Sequence, residues 1–466
     1  MSENKAFAHP YIPNTVPEVQ AAMLREIGLE SIEQLHDAIP ATLKLNRPMN
    51  LPPAMNEYEL RRHVDGLLAK NKHASANLNF LGAGCWQHFI PAICDEINQR
   101  SEFVTAYAGE PYEDHGRFQT LFEYQSLVAE LVDMDVVNVP TFDWAQAAST
   151  AIRMAGRITG KPAALLPKSV DPDKVKIIRN YCTPVMELRF VDIDTATGLM
   201  NLDDLRDKIA AGDVAAVYFE NPGYLGMIEH QGSDISALAH GAGAISVVGV
   251  DPISLGALEP PSRYGADIVC GDLQPLGMHM NYGGGQSGFI ATHDDETFVM
   301  EYPSRLFGIV PTEVEGEYGF GDVAYERTSF ALREKGKESV GTQTALWGIT
   351  AGVYLSLLGP HGMSELGETI MQKSRYAAKK LAAIPGVSLR FGETAFFKEF
   401  VVDFNATGLT VANINRRLLD AGIFGGKDLS EGYPEWGQCA LYCVTEIHSQ
   451  ADLDRLAAAL EVIVRA

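Results

Sequence analysis

The sequence predicts an α/β fold with a mostly parallel, buried large-domain sheet and a small C-terminal α+β domain. From about residue 118, helix-favouring segments alternate with short, continuously apolar runs. That is the pattern of strands buried on both faces and joined by helical crossovers. After Gly359-Pro360 the order changes to strand, strand, helix, strand, helix. At 466 residues and 46% hydrophobic content, the chain can bury a large core and is expected to form more than one domain.

The chain opens on the extended stretch Pro10 to Asn14. Thr15 and Glu18 then stand at capping-box spacing, and Val19, Met23 and Ile27 recur at helical intervals before Gly28. This arm, residues 1–65, carries too little apolar surface to stand alone and is expected to wrap a neighbour. In the large domain, residues 66–360, the predicted strands are Ala164 to Pro167, Glu187 to Asp192, Ala215 to Glu220, Ala244 to Val250, Ala266 to Cys270 and Ser287 to Thr292. Leu202 to Ala211 and Ser233 to Gly241 favour helix between them. A helix over Thr342 to Leu358 stops at Gly359-Pro360, and a second follows over Met363 to Ile384. The small domain, residues 361–466, reads as strands at Val387 to Arg390, Glu399 to Asp403 and Gln438 to Val444, with helices at Val411 to Ala421 and Ala451 to Val464.

Composition narrows the function. A formal charge of −23 repels phosphate backbones and anionic headgroups, which disfavours nucleic acid and membrane surfaces as partners. Met1 to Pro13 lacks the basic start and apolar run of a signal peptide, and no stretch has the length of a membrane span, so a cytoplasmic protein is expected. The six cysteines form no C-x-x-C pair and the twelve histidines no H-E-x-x-H motif, so reduced thiols and no structural metal are expected.

The most informative run follows the predicted strand Ala244 to Val250. It reads Asp251-Pro252-Ile253-Ser254-Leu255-Gly256, then Glu259-Pro260-Pro261, Tyr264-Gly265-Ala266-Asp267-Ile268-Val269 and Gln274-Pro275-Leu276-Gly277. With Pro10-Tyr11-Ile12-Pro13-Asn14-Thr15, Phe80-Leu81-Gly82-Ala83-Gly84, Arg100-Ser101-Glu102-Phe103, Leu121-Phe122-Glu123-Tyr124-Gln125, Arg333-Glu334-Lys335 and Leu358-Gly359-Pro360, these runs resemble the alpha chain, subunit 1, of glycine dehydrogenase (decarboxylating) across nearly the whole sequence. The resemblance implies the fold of type I pyridoxal phosphate (PLP) transferases. In such enzymes an acid at a strand end pairs with the pyridinium nitrogen of the cofactor. Asp251 stands at that place, although an Asp there also serves as a helix N-cap.

In that family the cofactor lysine belongs to the beta chain, in a His-Lys pair before a glycine-rich turn. The corresponding pair here looks to be Gln274-Pro275, ahead of Gly283-Gly284-Gly285, and no lysine lies between Lys208 and Lys335. A Schiff base needs a primary amine, so this chain is expected to be inactive alone. Lys335 and Lys337 could reach inward or could be exposed charges.

Two segments depart from the family pattern. Glu113-Asp114-His115-Gly116 replaces an Ile-Ser-Gln-Gly sequence and brings a carboxylate and an imidazole, either an acid/base pair or a solvated loop. Around the retained Asp143, Trp144 and Gln146 occupy positions of a small residue and a hydroxyl. An indole at a helix start would obstruct an anion, so the phosphate cradle is expected to be lost.

The resemblance implies a heterotetramer in which a PLP-bearing beta subunit decarboxylates glycine and passes the aminomethyl group to a lipoyl carrier protein. This chain would supply structure and part of an interfacial pocket, for which His88, Tyr107, Asp114, His115 and Thr342 are the candidates. Asp251 would be vestigial or interfacial. Two other readings stay open: a related PLP complex acting on another amino acid, and a non-catalytic scaffold.

Overall fold

A computed structural model describes residues 8–45, 47–103, 115–304, 306–323, 336–338 and 344–465. It divides into two compact units, Met1–Asn71 and Lys72–Ala466. The first holds α1 (Pro17–Glu26) and α2 (Glu57–Leu68), neither of which buries a residue. The arm therefore runs past residue 65, because a boundary there would cut α2. The expected capping box at Thr15 does not form. Pro17 is the first helical residue and Val16 precedes it as N-cap, while the Thr15 hydroxyl donates to the Ile12 carbonyl. Proline's fixed φ and missing N–H suit the first helical position, and this sets the start of the helix.

The second unit begins with β1 (Leu78–Asn79), α3 (Ala92–Asn98), α4 (His115–Val132), β2 (Val136–Val137) and α5 (Trp144–Thr159). An alternating series follows: β3 (Ala163–Pro167), α6 (Pro172–Cys182), β4 (Glu187–Val191), α7 (Leu202–Ile209), β5 (Val214–Glu220), α8 (Gly232–Gly241), β6 (Ile245–Val250), β7 (Ile268–Asp272) and β8 (Gly288–Thr292). Beyond it lie α9 (Glu296–Val299), the antiparallel pair β9 (Phe307–Pro311) and β10 (Tyr318–Asp322), and the long α10 (Ala345–Ala382). The chain ends with β11 (Ser388–Leu389), β12 (Glu399–Asp403), α11 (Val411–Asp420), β13 (Ile423–Phe424), β14 (Lys427–Asp428), β15 (Cys439–Cys443) and α12 (Gln450–Arg465).

The seven-stranded sheet has the order β2-β8-β7-β6-β5-β3-β4. Strands β7, β6, β5, β3 and β4 run parallel, and β8 is antiparallel to both β7 and β2. All six predicted strands of the large sheet are present, with ends displaced by at most a few residues. Their apolar runs arise because alternate side chains enter two cores. Val217, Phe219 and Val248 pack on one face with Val128 of α4, Ile235 of α8 and Tyr354 of α10. Ala216, Tyr218 and Val247 pack on the other with Ala147, Ala151 and Met154 of α5.

The C-terminal part forms a separate four-stranded antiparallel sheet, β11-β12-β15-β14, whose core includes Phe400, Val402, Leu418, Leu441 and Leu456. The expected break at Gly359-Pro360 is a kink within α10, at Gly359 with φ 60° and ψ −177°, so one helix runs across the expected boundary at residue 360. The β9–β10 pair was not anticipated. Among the described residues, no helix is long and apolar enough to cross a membrane.

The turn after β6 is pressed against α10. A Cβ at Gly256 would lie 2.0 Å from the Met363 carbonyl oxygen, closer than any such contact allows. Gly256→Ala is therefore expected to cost about 1–3 kcal/mol, read as a lower urea midpoint with an unchanged slope. An unchanged midpoint would show that the two segments are not in contact.

Candidate functional site

The parallel register brings three strand ends to one edge of the sheet, where α/β proteins place their ligands. Glu220 ends β5, Asp251 follows β6 and Asp272 ends β7, with Glu220 paired to Gly249 and Val250 to Gly271. The N-terminus of α5 is capped by Asp143, whose side chain accepts from the Gln146 N–H. Trp144, the first residue of α5, is buried. Its indole lies against β6 at Gly249, where a Cβ would come within 2.9 Å of the ring.

Two of the three carboxylates, Glu220 and Asp251, face a lysine of the chain. Lys174 of α6 places its Nζ 2.6 Å from the Glu220 Oε1, which also accepts from the Tyr218 hydroxyl, and the same ammonium sits 3.4 Å from the centre of a Trp144 ring. Asp251 is divided between two tasks. Its Oδ1 accepts from the Ile253 N–H and caps the short turn Pro252–Gly256, as the simpler reading expects. Its Oδ2 lies 2.7 Å from the Nζ of Lys398, with both side chains at most 5% exposed. That contact is ionic, since Oδ2 has no hydrogen-bond partner in the structure.

Lys398 was not identified from the sequence. It immediately precedes β12, and its carbonyl accepts from the Val444 N–H. The adjacent Phe397 N–H donates to the Gly226 carbonyl. Gly226 has φ +90°, and a Cβ there would lie 1.8 Å from the Glu399 carbonyl oxygen, so only glycine admits this close passage. The Lys398 ammonium also covers the Trp86 ring at 3.6 Å from its centre and lies 3.3 Å from the His88 Nε2. His88 in turn meets Glu446 through Nδ1 at 2.8 Å, and the Phe89 N–H donates to the same carboxylate. Burial pushes the Glu446 carboxyl up, but His88 and the Phe89 N–H outweigh it and hold the group below its usual range.

The Gln274-Pro275 position is a clamp. The Gln274 amide donates to the carbonyls of Trp86 and Met278, and its oxygen accepts from the Trp86 N–H. Pro275 beside it is buried. The loop carrying Trp86 is thereby fixed over Lys398.

The residues present do not fit PLP. The space bounded by Trp86, Trp144, Lys174, Asp251 and Lys398 is a cavity of about 30 Å³, enough for about one water, whereas pockets that bury a ligand of cofactor size run to several hundred Å³. Asp251 already faces a cation, and the helix start that would receive a phosphate carries an indole. Lys398 cannot stand in for the missing lysine while it faces Asp251, because the ring nitrogen and the aldehyde carbon lie at opposite ends of the pyridine ring.

The sequence-derived candidates are placed unevenly. His88 is buried behind Lys398 and does not line the cavity; it supports the lysine instead. Asp251 is buried and lines the cavity. Tyr107, Asp114 and Thr342 lie outside the described residues, and His115 begins α4 with its side chain outside them. Lys335 is likewise outside, while Lys337 is partly exposed and faces Glu301.

Burial pushes Glu399 up to about 7, against the pull of Lys398 and the Ala83 N–H. A carboxyl raised from 4.5 contributes stability that is complete below about 4.5 and lost as pH rises through about 7. Asp272, also raised by burial to about 7, adds a slope of the same sign. Glu399→Gln keeps an acceptor for Ala83. It is expected to narrow the difference in unfolding free energy between about pH 5 and about pH 8, read from urea unfolding at each pH, by an amount on the order of 1–3 kcal/mol. An undiminished difference would show that Glu399 titrates normally.

Comparison with known proteins places this arrangement. Residues 9–460 match the model of the glycine cleavage system P-protein. A probable glycine dehydrogenase (decarboxylating) subunit 1 from Staphylothermus marinus is 36% identical, with 98% of each chain covered, and one from Saccharolobus islandicus is 37% identical at the same coverage. A crystal structure of a glycine decarboxylase (P-protein) in inhibitor-bound form superposes with a TM-score of 0.81 at 32% identity, over 98% of this chain and 100% of that one. A sphingosine-1-phosphate lyase from Burkholderia pseudomallei, 15% identical with a TM-score of 0.64, covers 92% of this chain and 94% of its own and shares the fold. The chain thus belongs to the glycine cleavage system P-protein family and, within it, to subunit 1 of glycine dehydrogenase (decarboxylating).

Proposed function

We propose that this chain is the alpha subunit of a glycine-decarboxylating complex whose PLP is carried by a partner beta subunit with a His-Lys pair before a glycine-rich turn. The observation that carries this is the combination of a family match along almost the whole chain with a pocket filled by the chain's own Lys398, Lys174 and Trp144. When bound in the partner, PLP supplies the electron sink that decarboxylation of an amino acid requires. No chemical step runs through the Asp251 pocket of this chain.

The contribution of this chain is structural and interfacial. The arm supports a role in assembly, since α1 and α2 bury none of their apolar residues and Met23, Ile27, Leu60 and Leu67 are about half exposed or more. We assign the arm to a contact with the beta subunit. Tyr107, Asp114, His115 and Thr342 remain the proposed contributors to a pocket at that interface. The aminomethyl product is assigned to the lipoyl arm of a carrier protein.

The test is a comparison of the isolated chain with the reconstituted pair. After incubation with PLP and gel filtration, the chain alone is expected to retain no cofactor absorbance, and the pair to retain it and to show glycine-dependent bicarbonate exchange. Stoichiometric cofactor on the isolated chain would refute the assignment. Cofactor on the pair without glycine exchange would favour a different amino-acid substrate.

A further inference from the structure

In PLP enzymes of this fold the acid at the strand end exists to face a ring cation. Here Asp251 keeps the position and the burial, and the cation facing it comes from the chain itself. Lys398 Nζ is 2.7 Å from Asp251 Oδ2 and stands 3.6 Å from the centre of the Trp86 ring, so the ammonium has a carboxylate on one side and an aromatic face on another. Its third neighbour is the His88 Nε2 at 3.3 Å. An ammonium can only donate, so Nε2 accepts, leaving Nδ1–H to donate to Glu446. The result is a buried line from Asp251 through Lys398 and His88 to Glu446.

We infer that Lys398 is an internal ligand: it takes the place of the cofactor's ring cation against Asp251, and this chain's pocket is a cation site that the fold itself occupies. Three features of the structure support this over an incidental ion pair. The lysine is delivered by the C-terminal sheet, across the passage that only Gly226 permits. The loop bearing Trp86 is held over the ammonium by two Gln274 amide contacts, one to the Trp86 N–H and one to its carbonyl. The neighbouring carboxylate, Glu220, is treated in the same way, with Lys174 as its cation and Trp144 as the aromatic face.

An internal ligand should be replaceable by an external one of the same chemistry. Removing the side chain leaves an anionic hole roofed by an indole, which favours a small organic ammonium ion. The experiment measures thermal unfolding of the full-length chain with n-butylammonium chloride, and with n-butanol as the neutral control of matching shape. The expected result is a melting temperature for Lys398→Ala that rises by several degrees with millimolar butylammonium and does not rise with butanol. Neither the wild-type chain nor the double variant Lys398→Ala/Asp251→Asn should respond. A folded Lys398→Ala that ignores butylammonium, or an equal response in all three proteins, would overturn the inference.

If Lys398→Ala does not fold, Lys398→Met with and without Asp251→Asn decides the matter. The second substitution should recover at least half of the melting-temperature loss caused by the first, because it removes the stranded charge. Strictly additive losses would overturn the inference. All readouts come from this chain alone, so their outcome is separable from whether the complex decarboxylates glycine.

Discussion

The buried contact between Asp251 and Lys398 is the constraint on which the rest of the site depends. Each charge loses several kcal/mol of hydration on burial, and the attraction between them repays this only where the geometry is good and further partners are present. Here the partners come from distant parts of the chain: the end of β6, the approach to β12, the loop of Trp86 and His88, and the segment after β15 that carries Glu446. Such a pair adds little net stability over an apolar substitute. Breaking it from one side leaves a charge stranded, at a cost of about 3–5 kcal/mol. That asymmetry ties the C-terminal sheet to the strand ends of the large sheet in one arrangement.

The same arrangement explains why the fold of a cofactor enzyme is present without the capacity to bind the cofactor. The sheet still delivers three carboxylates to one edge, and α5 still starts there. Lys398 faces Asp251, Lys174 and Trp144 cover Glu220 and the helix start, and Gln274 spends its amide on Trp86. A cavity of about 30 Å³ is what remains. These are self-consistent contacts among buried groups, so the pocket is closed by packing and charge together. The proposal that the reaction occurs on a partner chain rests on this filled pocket.

Much of this was legible in the sequence. The six large-sheet strands announced themselves because strands buried on both faces must be apolar throughout, and Asp251 stood out as a charge directly after such a run. The absence of lysine at Gln274-Pro275 and the indole at Trp144 were also readable as changes of residue type. Lys398 escaped notice because ion pairing between remote segments leaves no local periodicity. A signal did exist in Phe396-Phe397-Lys398-Glu399-Phe400-Val401-Val402, where two adjacent charges interrupt an apolar run. Buried charges inside such a run require partners. The capping box at Thr15 failed because Pro17 sets the helix start, and α2 continues past residue 65 to Leu68.

The most direct measurement is an experimental structure of the assembled complex purified with PLP. The account predicts cofactor density in the partner subunit alone, and in this chain a Lys398 ammonium in contact with Asp251 beneath Trp86. Cofactor density beside Asp251, with Lys398 displaced, would contradict it.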